Sequence, residues 1–584
     1  MLRITLAQLN PTLGDIEGNT QQILACAQQA AAQGAEMIVF SQSALTGYHP
    51  AGLLGSAGFM ARLQAALQQL LQASAALPGL HWVLGLPIAS PSPDQPSSQP
   101  PDQPGALPQD GLLVLQGGQV LLRCAREQLD AQGDFDELRY LRPGQPGPRL
   151  LRLGQRQVGF LIGAEAYPGP HPEPQAGAQA DSPLARLAQA RPDLLIHIDA
   201  RASRLGARAR RHAALAQAAQ RCHAPLLSVN QVGGHDQQVY DGGSLALLPG
   251  AGVVFEAQRF ATDQVPLLLT DAAQWRSAQG ESLPAVPADG LPVLEFYRQQ
   301  IVLGLRDYAR RCGFRQVVVG SSGGLDSALT LALAAEALGP QQVVAITMPS
   351  SVSTPGSVDD SVALCRNLGI RLHQHPIAGL VEAYAQQFQA SFGQPLAGLA
   401  RENLQARIRG TVLMEYSNAH GHLLLNTGNK SEVATGYCTL YGDTNGGLGL
   451  LGDLYKTEAF ELARHLNASA GRELVPQAII DKPPSAELAP GQRDDDSLPP
   501  YPVLDRILQC WIEGEQLPPA EYAAARAFVA ELEGSEAGRA TLQRVRHLLA
   551  ISEYKRHQAP PCLRLRQRGF GPGGWYLPLA AKQG

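Results

Sequence analysis

Residues 317–330, VVVGSSGGLDSALT, join a run of valines to a glycine- and serine-rich turn and then to the start of a helical pattern. A strand, a helix and a second strand at this spacing require a right-handed crossover and parallel pairing. The second half of the chain is therefore predicted to be an α/β domain with a parallel sheet. The hydrophobic pattern predicts helices over 293–312 and 327–338, and strands over 316–319 and 343–348.

The turn has the chemistry of a phosphate-binding loop. Gly320, Gly323 and Gly324 allow the backbone to approach phosphate oxygens closely, and the N-terminus of the following helix offers unpaired N–H groups. No Gly-Lys-Ser/Thr follows, so the segment is not a Walker A loop. An acidic Asp326 beside phosphate requires an intervening cation, for which Mg²⁺ is the usual choice. A glycine-rich turn without a ligand is the alternative for this segment alone.

The first half alternates short apolar runs with helical stretches, which also predicts an α/β fold. Helices are expected over 21–33 and 207–220. The proline-rich stretch 90–104 lacks the apolar side chains of a core and is predicted to be a surface insertion. The predicted strands are 3–9, 37–40, 83–86, 112–116, 119–123, 158–162, 194–198, 226–229 and 244–248. The domains are predicted to be 1–270 and 291–584, with 271–290 as a linker.

Composition excludes several classes of function. The 584 residues carry 46 Lys and Arg against 51 Asp and Glu, a net charge of -5 that argues against a nucleic-acid coat or a polybasic membrane binder. No apolar run approaches the roughly 18–20 residues of a membrane span, and the first residues lack the pattern of a signal peptide. Eight widely spaced cysteines form no CxxC pair. We therefore expect a cytoplasmic protein with free thiols.

Further motifs give the loop a family resemblance. SGGxDS resembles the pyrophosphatase loop of the ATP-pyrophosphatase superfamily, whose domains are of the adenine nucleotide α-hydrolase type. The order of the downstream motifs resembles that of NAD synthetases over roughly residues 290–575. Those motifs are ENLQARIR (402–409), TGNKSE (427–432), YGDTNGG (441–447), DLYKT (453–457), KPPSAEL (482–488), SLPPY (497–501) and EYKR (553–556).

The resemblance implies a set of site residues. Asp326 and Glu432 are expected to hold Mg²⁺, and Asp326, Lys456 and Ser485 are expected to be catalytic. The substrate deamido-NAD is expected to contact Asn403, Arg407, Glu432 and Lys555. ATP is expected to contact Gly320, Ser321, Ser322, Gly323, Gly324, Leu325, Asp326, Ser327, Thr427, Lys456 and Ser485.

The resemblance also implies a two-step reaction. The nicotinate carboxylate of deamido-NAD attacks the α-phosphorus of ATP, which gives an adenylate and pyrophosphate. Ammonia then attacks the activated carbonyl, which gives NAD and AMP. Members of this length form large homo-oligomers, so a homo-oligomer is expected here as well.

Residues 1–270 resemble the carbon–nitrogen hydrolase, or nitrilase-like, domain of glutamine-dependent NAD synthetases. That domain is an αββα sandwich that hydrolyses glutamine with a Glu base, a Lys near the oxyanion and a Cys nucleophile. The matching positions here hold Gln42, Arg126 and Gly163. The motifs that carry the resemblance are ITLAQLNPTLGD (4–15), ALTGY (44–48), FDELRYLRPG (135–144), VNQVGG (229–234) and YDGGS (240–244).

These three positions predict a domain that does not hydrolyse glutamine. The Gln42 amide cannot accept the proton of a thiol at neutral pH, Arg126 keeps the charge of lysine in a different shape, and Gly163 has no nucleophile. A relocated nucleophile would have to be Cys124 or Cys222, and neither is expected at a strand-to-helix elbow. We therefore predict an ATP- and Mg²⁺-dependent NAD synthetase that uses free ammonia. The alternatives are a glutamine-dependent enzyme with a relocated nucleophile, ammonia from a separate glutaminase, and a non-catalytic nucleotide-sensing scaffold.

Overall fold

The structure, a computed structural model, describes residues 1–90, 107–129, 135–167, 181–571 and 573–578. Most of the predicted insertion, residues 91–104, lies outside the described part of the chain. The chain forms two compact units, Met1–Gly233 with Tyr240–Gly290 and Gly234–Val239 with Leu291–Gly584. None of the described helices combines the length and apolarity that crossing a membrane requires.

The first unit contains two mixed sheets flanked by helices. The strands of these sheets are β1 (Leu2–Gln8), β2 (Met37–Phe40), β3 (His81–Ile88), β4 (Gln109–Gln116), β5 (Gln119–Ala125), β6 (Leu150–Leu153), β7 (Arg156–Ile162), β8 (Leu194–Ile198), β9 (Leu226–Val229), β12 (Leu245–Leu248), β13 (Gly252–Glu256), β14 (Asp263–Leu269) and β15 (Trp275–Ser277). One sheet has seven strands in the order β15-β14-β1-β2-β3-β4-β5, and the other has six in the order β13-β12-β9-β8-β7-β6. Two more strands, β10 (Val232–His235) and β11 (Gln238–Asp241), form a separate two-stranded sheet that is not assigned to either unit as a whole. The helices are α1 (Ile16–Ala32), α2 (Ala57–Ala75), α3 (Glu137–Tyr140), α4 (Pro183–Ala190) and α5 (Ala207–Cys222).

Alternation along the strands builds the layers of this unit. In β2, Met37 and Val39 join the core cluster between the two sheets, while Ile38 and Phe40 join the cluster on the helix side. Successive side chains of a strand point to opposite faces, so a strand of four apolar residues indicates burial on both. The predicted αββα sandwich is confirmed.

Part of the segment predicted to be a linker lies in the sandwich. Residues of β15 pair antiparallel with β14, and Trp275 is only 4% exposed. Its indole Nε1 donates to the carbonyl of Leu247 over 3.1 Å. Farther along, Arg208 donates to the carbonyls of Pro287 and Ala288. Despite its proline-rich composition, this segment therefore contains one buried apolar residue, Trp275, that packs it onto the sheet.

The second unit is built on the predicted parallel sheet, which is confirmed. Its five strands have the order β18-β17-β16-β19-β20, and every pair is parallel. The strands are β16 (Val317–Gly320), β17 (Val343–Thr347), β18 (Arg371–Gln374), β19 (Leu423–Asn426) and β20 (Leu448–Gly449). The helices are α6 (Val293–Arg311), α7 (Leu325–Leu338), α8 (Pro355–Leu368), α9 (Ala378–Phe392), α10 (Leu399–His420), α11 (Lys430–Thr435), α12 (Lys456–Ala470), α13 (Gln477–Asp481), α14 (Tyr501–Leu508), α15 (Pro519–Glu533), α16 (Glu536–Ile551) and α17 (Glu553–Arg556).

A fully buried lysine joins three parts of this unit. The Lys430 ammonium lies 2.7 Å from Asp453 and 2.5 Å from Glu513, and it donates to the carbonyl of Arg568 over 2.6 Å. Asp453 also accepts from the backbone N–H groups of Leu565 and Arg566. The side chains of the lysine and of both carboxylates are at most 2% exposed. The start of α11, the loop before α12 and the C-terminal segment are thus held by one charge cluster.

Replacing this lysine should destabilise the second unit strongly. Lys430→Ala leaves two buried carboxylates without a counter-ion, which typically costs about 3–5 kcal/mol. Urea unfolding followed by the fluorescence of Trp511 and Trp575 should show the loss. Arg401→Ala is the control, because it breaks an exposed pair with Glu382 that contributes at most about 1 kcal/mol. Equal unfolding midpoints for the two variants would contradict this account.

Candidate active site

The phosphate loop lies between the end of β16 and the start of α7. Gly323 has a φ of +77°, and a Cβ added there would lie 2.4 Å from the carbonyl oxygen of Ser357. No other residue fits without moving backbone. Helix α7 begins after Gly324 without a side-chain cap, so the N–H groups of its first turn are available to a ligand. This is the geometry expected of a loop that receives phosphate.

A cavity of about 260 Å³ adjoins this loop. It is lined by Thr427 after β19, by Lys456 at the start of α12, and by Ser485. Of the residues predicted to contact ATP, every one except Gly323 lines this cavity, and Glu432 lines it as well. The structure thus brings these residues together, while the roles given to them remain predictions.

Lys456 bridges the two predicted metal-binding carboxylates. Its Nζ contacts the Asp326 carboxylate and lies 3.2 Å from Oε1 of Glu432. Burial opposes the charge of the ammonium, but the two carboxylates outweigh it and raise the pKa of Lys456. Burial in turn raises the pKa of Glu432. One cation therefore contacts both acidic groups at once.

This donor set fits Mg²⁺, which takes one or two protein carboxylates and completes its shell with phosphates and water. Among the residues that the structure describes, no group of three His, Cys, Asp or Glu side chains is arranged to hold a metal by itself. Asp326 and Glu432 would therefore hold the ion jointly with a nucleotide.

A helix cap fixes the direction of Glu432. Asn429 is the N-cap of α11 and accepts from the Glu432 N–H over 3.0 Å, while Oε2 of Glu432 accepts from the Asn429 N–H over 3.3 Å. This reciprocal pair is a capping box. The side-chain amide of Asn429 also donates to Asp326 over 3.2 Å. The cap occupies Oε2 of Glu432 and leaves Oε1 for a cation.

The loop that carries Ser485 is tied to the phosphate side of the cavity. Ser485 donates to the carbonyl of Gln492 over 2.6 Å and accepts from the N–H of Glu487. Lys482 donates to Ser357 over 2.6 Å and lies 3.1 Å from Glu487. Ser485 is thus held within its own turn, while Lys482 connects that turn to α8.

The residues predicted to contact deamido-NAD converge on a neighbouring segment, residues 436–440. Oδ1 of Asn403 accepts from the Thr439 hydroxyl over 2.8 Å, and Nε of Arg407 donates to the carbonyl of Leu440 over 3.2 Å. Nζ of Lys555 donates to two carbonyls of the segment, each over 2.7 Å. These three residues do not line the 260 Å³ cavity, so the structure groups them separately from the ATP residues, with Glu432 on the cavity side.

Five further charged residues line the cavity and were not predicted as site residues: Arg409, Asp443, Lys482, Glu487 and Asp494. Asp494 is 3% exposed and accepts from the Tyr501 hydroxyl over 2.8 Å, and burial raises its pKa. Arg409 donates from Nε to the carbonyl of Met348 over 3.1 Å. In the sequence, Asp494 is hidden in an acidic run that is typical of a surface loop. Arg409 stands two residues after Arg407, which was the available signal.

In the first unit, Gln42, Arg126 and Gly163 form one buried cluster. Gly163 directly follows β7 with a φ of +52°, and a Cβ added there would lie 2.8 Å from Oε1 of Gln42. The Gln42 amide donates to Asp110. Arg126 is 2% exposed and pairs with Asp110 over 3.0 Å and with Glu137 over 2.8 Å. The three positions that the sequence matches to the Glu, Lys and Cys of nitrilase-like domains thus lie together in space.

This cluster is closed by its own ion pairs. A neutral amide at Gln42, the positive charge of Arg126 and the space at Gly163 together suggest a pocket for a small anion. The guanidinium of Arg126 instead faces two carboxylates, which supply the negative charge that such an anion would bring. Among the described residues of this cluster, no positive group is therefore left free for an anion.

The two candidate replacement thiols are buried. Cys124 lies in β5, and burial raises its pKa to about 12. Cys222 is the last residue of α5, and burial raises its pKa to about 11. A thiol must ionise to act as a nucleophile, so neither cysteine is suited to serve as a relocated nucleophile at neutral pH.

Family models match both units. A model described as NAD synthase matches residues 297–559, and one described as carbon–nitrogen hydrolase matches residues 3–98. Two curated relatives are both named glutamine-dependent NAD(+) synthetase. The one from Synechocystis sp. is 37% identical over 99% of each chain. The one from Rhodobacter capsulatus is 39% identical over 97% of this chain and 96% of its own.

Solved structures give the same result. The glutamine-dependent NAD+ synthetase from Acinetobacter baumannii, solved in complex with ADP, is 30% identical, covers 98% of both chains and has a TM-score of 0.73. The fold is also shared with the enzyme from Cytophaga hutchinsonii, which is 19% identical with a TM-score of 0.76. These matches span both units, and the chain therefore belongs to the two-domain NAD synthetase family, with a nitrilase-like domain followed by an NAD synthetase domain.

Proposed function

We propose that this NAD synthetase amidates deamido-NAD to NAD with free ammonia, while ATP is cleaved to AMP and pyrophosphate. The single observation that carries the ammonia part is Gly163, which occupies the elbow after β7 beside Gln42. A glycine has no thiol to attack an amide. The matched relatives are named as glutamine-dependent enzymes, so the proposal departs from the activity in their names.

The polar groups around Gly163 support the same conclusion. Gln42 offers an amide where thiol chemistry needs a proton acceptor. Its N–H is engaged by Asp110, and Arg126 is engaged by Asp110 and Glu137. Cys124 and Cys222 are buried thiols with raised pKa values. These contacts disfavour a relocated nucleophile, whereas ammonia from a separate glutaminase remains compatible with the proposal.

In the second unit, the predicted site residues have distinct roles in the proposal. Asp326 and Glu432 would hold Mg²⁺, which when bound neutralises phosphate charge. Lys456 would stabilise charge on the phosphates during adenylation, and the loop around Ser485 would exclude water that would otherwise hydrolyse the adenylate. Asn403, Arg407 and Lys555 would hold deamido-NAD.

The presence of all these groups disfavours a non-catalytic nucleotide-sensing scaffold. Sensing needs only binding, whereas Asp326, Glu432, Lys456 and Ser485 supply the groups that adenylation needs. The enzyme is further proposed to be a cytoplasmic homo-oligomer. All eight cysteines are free, which fits a reducing compartment.

The nitrogen source is the direct test. With deamido-NAD, ATP and Mg²⁺, ammonium should give NAD, AMP and pyrophosphate in equal amounts. Because Gly163 supplies no nucleophile, kcat/KM for glutamine should be lower than kcat/KM for ammonium by roughly a thousandfold or more. Steady-state NAD formation by the purified full chain measures both. Glutamine-supported turnover by the pure chain would overturn the ammonia proposal, and no turnover with either source would favour the scaffold.

Restoring the thiol alone should not restore glutamine use. In Gly163→Cys the new Cβ meets Oε1 of Gln42 at 2.8 Å, and no carboxylate replaces the amide as base. Incubation with glutamine and intact-mass measurement should therefore detect no glutamyl thioester. Gly163→Ala is the matched control for the steric change. A thioester on Gly163→Cys would show that the Gln42 side chain moves aside and that another group acts as the base.

ATP binding should depend on the backbone at Gly323. Gly323→Ala places a methyl group 2.4 Å from a carbonyl oxygen at a positive φ, and strain of about 1–3 kcal/mol or more is expected. Calorimetry should show ATP binding weakened by roughly tenfold or more. Gly379→Ala is the control, because a Cβ there meets nothing within 4 Å. Equal ATP affinities would show that the loop adapts.

A further inference from the structure

The Lys456 ammonium contacts the carboxylate oxygens that a metal ion bound by Asp326 and Glu432 would also have to contact. Its Nζ contacts the Asp326 carboxylate and lies 3.2 Å from Glu432 Oε1. The lysine side chain is 5% exposed, and the carboxylates are 17% and 18% exposed. Cation and carboxylates are thus largely shielded from water, which strengthens their attraction.

The surrounding groups leave few alternative positions for a second cation. Oε2 of Glu432 is occupied by the cap of α11, and Asp326 also accepts from Asn429. The Lys456 ammonium lies 5.3 Å from the centre of the Tyr501 ring, close enough for a cation–π contact. An ion entering between the two carboxylates would meet a positive charge that already contacts both.

We infer that Lys456 acts as an internal counter-ion that keeps divalent metal out of the Asp326–Glu432 site until a triphosphate offers the ammonium other anionic partners. The inference rests on the proposed function for the identity of the ligands, but the competition itself needs only these three side chains. Metal is then expected to enter together with the nucleotide rather than before it.

The side chain can make this exchange without backbone movement. The Lys456 N–H donates to the Ser431 hydroxyl over 3.0 Å, and the next N–H, of Thr457, donates to Asp505 over 2.9 Å. Lysine carries its charge on a flexible four-carbon stem. Lys456 also lines the cavity shared with the phosphate loop, so rotation of its side chain carries the ammonium between carboxylates and phosphates.

Removing the ammonium should therefore expose a metal site in the nucleotide-free protein. Lys456→Met keeps the unbranched stem but ends one atom short of the ammonium, and it leaves two carboxylates, with Asp494 nearby, facing each other. We expect Mn²⁺ added alone to bind this variant at least roughly tenfold more tightly than the unaltered chain. Electron paramagnetic resonance of free against bound Mn²⁺, on the full chain without nucleotide, measures the change.

Two further variants make the result specific. Lys456→Arg keeps the positive charge and should bind Mn²⁺ as weakly as the unaltered chain. Adding Asp326→Asn to Lys456→Met should abolish the gain. Because the uncompensated carboxylates destabilise the fold, Mn²⁺ should also raise the melting temperature of Lys456→Met, but not that of the unaltered chain.

Equal Mn²⁺ affinities in Lys456→Met and the unaltered chain would overturn the inference, as would an equal gain in Lys456→Arg. The outcome is separable from the proposed function, since the measurement uses neither deamido-NAD nor ammonia. If the unaltered chain forms NAD from ammonium but Lys456→Met binds Mn²⁺ no more tightly, only the competition is refuted. If Lys456→Met binds Mn²⁺ more tightly but the unaltered chain forms no NAD, only the proposed activity is refuted.

Discussion

The candidate active site depends on the adjacency of two parallel strands, β16 and β19, which end at the same edge of the sheet. The phosphate loop and Asp326 follow the first strand, and Thr427 and Glu432 follow the second. In open parallel sheets, ligands bind outside the carboxyl ends of the strands. The pairing therefore brings together two carboxylates that are about a hundred residues apart in sequence, and Lys456 stabilises them there.

The fold was predictable where hydrophobic patterning is simple. Strands over 37–40, 194–198 and 226–229 have the predicted limits, since strands buried on both faces are continuous apolar runs with polar or turn-forming neighbours. Residues 275–277 were predicted from composition to belong to a linker, but they form β15. The burial of Trp275 stabilises this strand despite the proline- and serine-rich residues that follow it. In the site, short motifs predicted the cavity residues, but Asp494 was missed. Its burial arises from tertiary contacts with α14, while its two acidic neighbours remain exposed.

The two units differ in how far their buried charges are paired. Around Arg126, two carboxylates enclose one guanidinium, and the neutral Gln42 donates a hydrogen bond to one of them, so each charged group has a partner within the cluster. Around the single ammonium of Lys456 lie three carboxylates, those of Asp326, Glu432 and Asp494. Buried charge is tolerated only when it is paired, so the first arrangement is complete by itself, while the second gains from further cations.

This contrast explains how a nitrilase-like sandwich accommodates Gly163 at the elbow after β7. Its stability comes from the apolar layers between and outside the sheets, which do not include Gln42, Arg126 or Gly163. A positively charged Arg126 in the cluster needs negative charge nearby, and Asp110 and Glu137 supply it where Gln42 cannot. The polar cluster is therefore a self-consistent part of the fold, and the packing of the sandwich does not require a thiol at position 163.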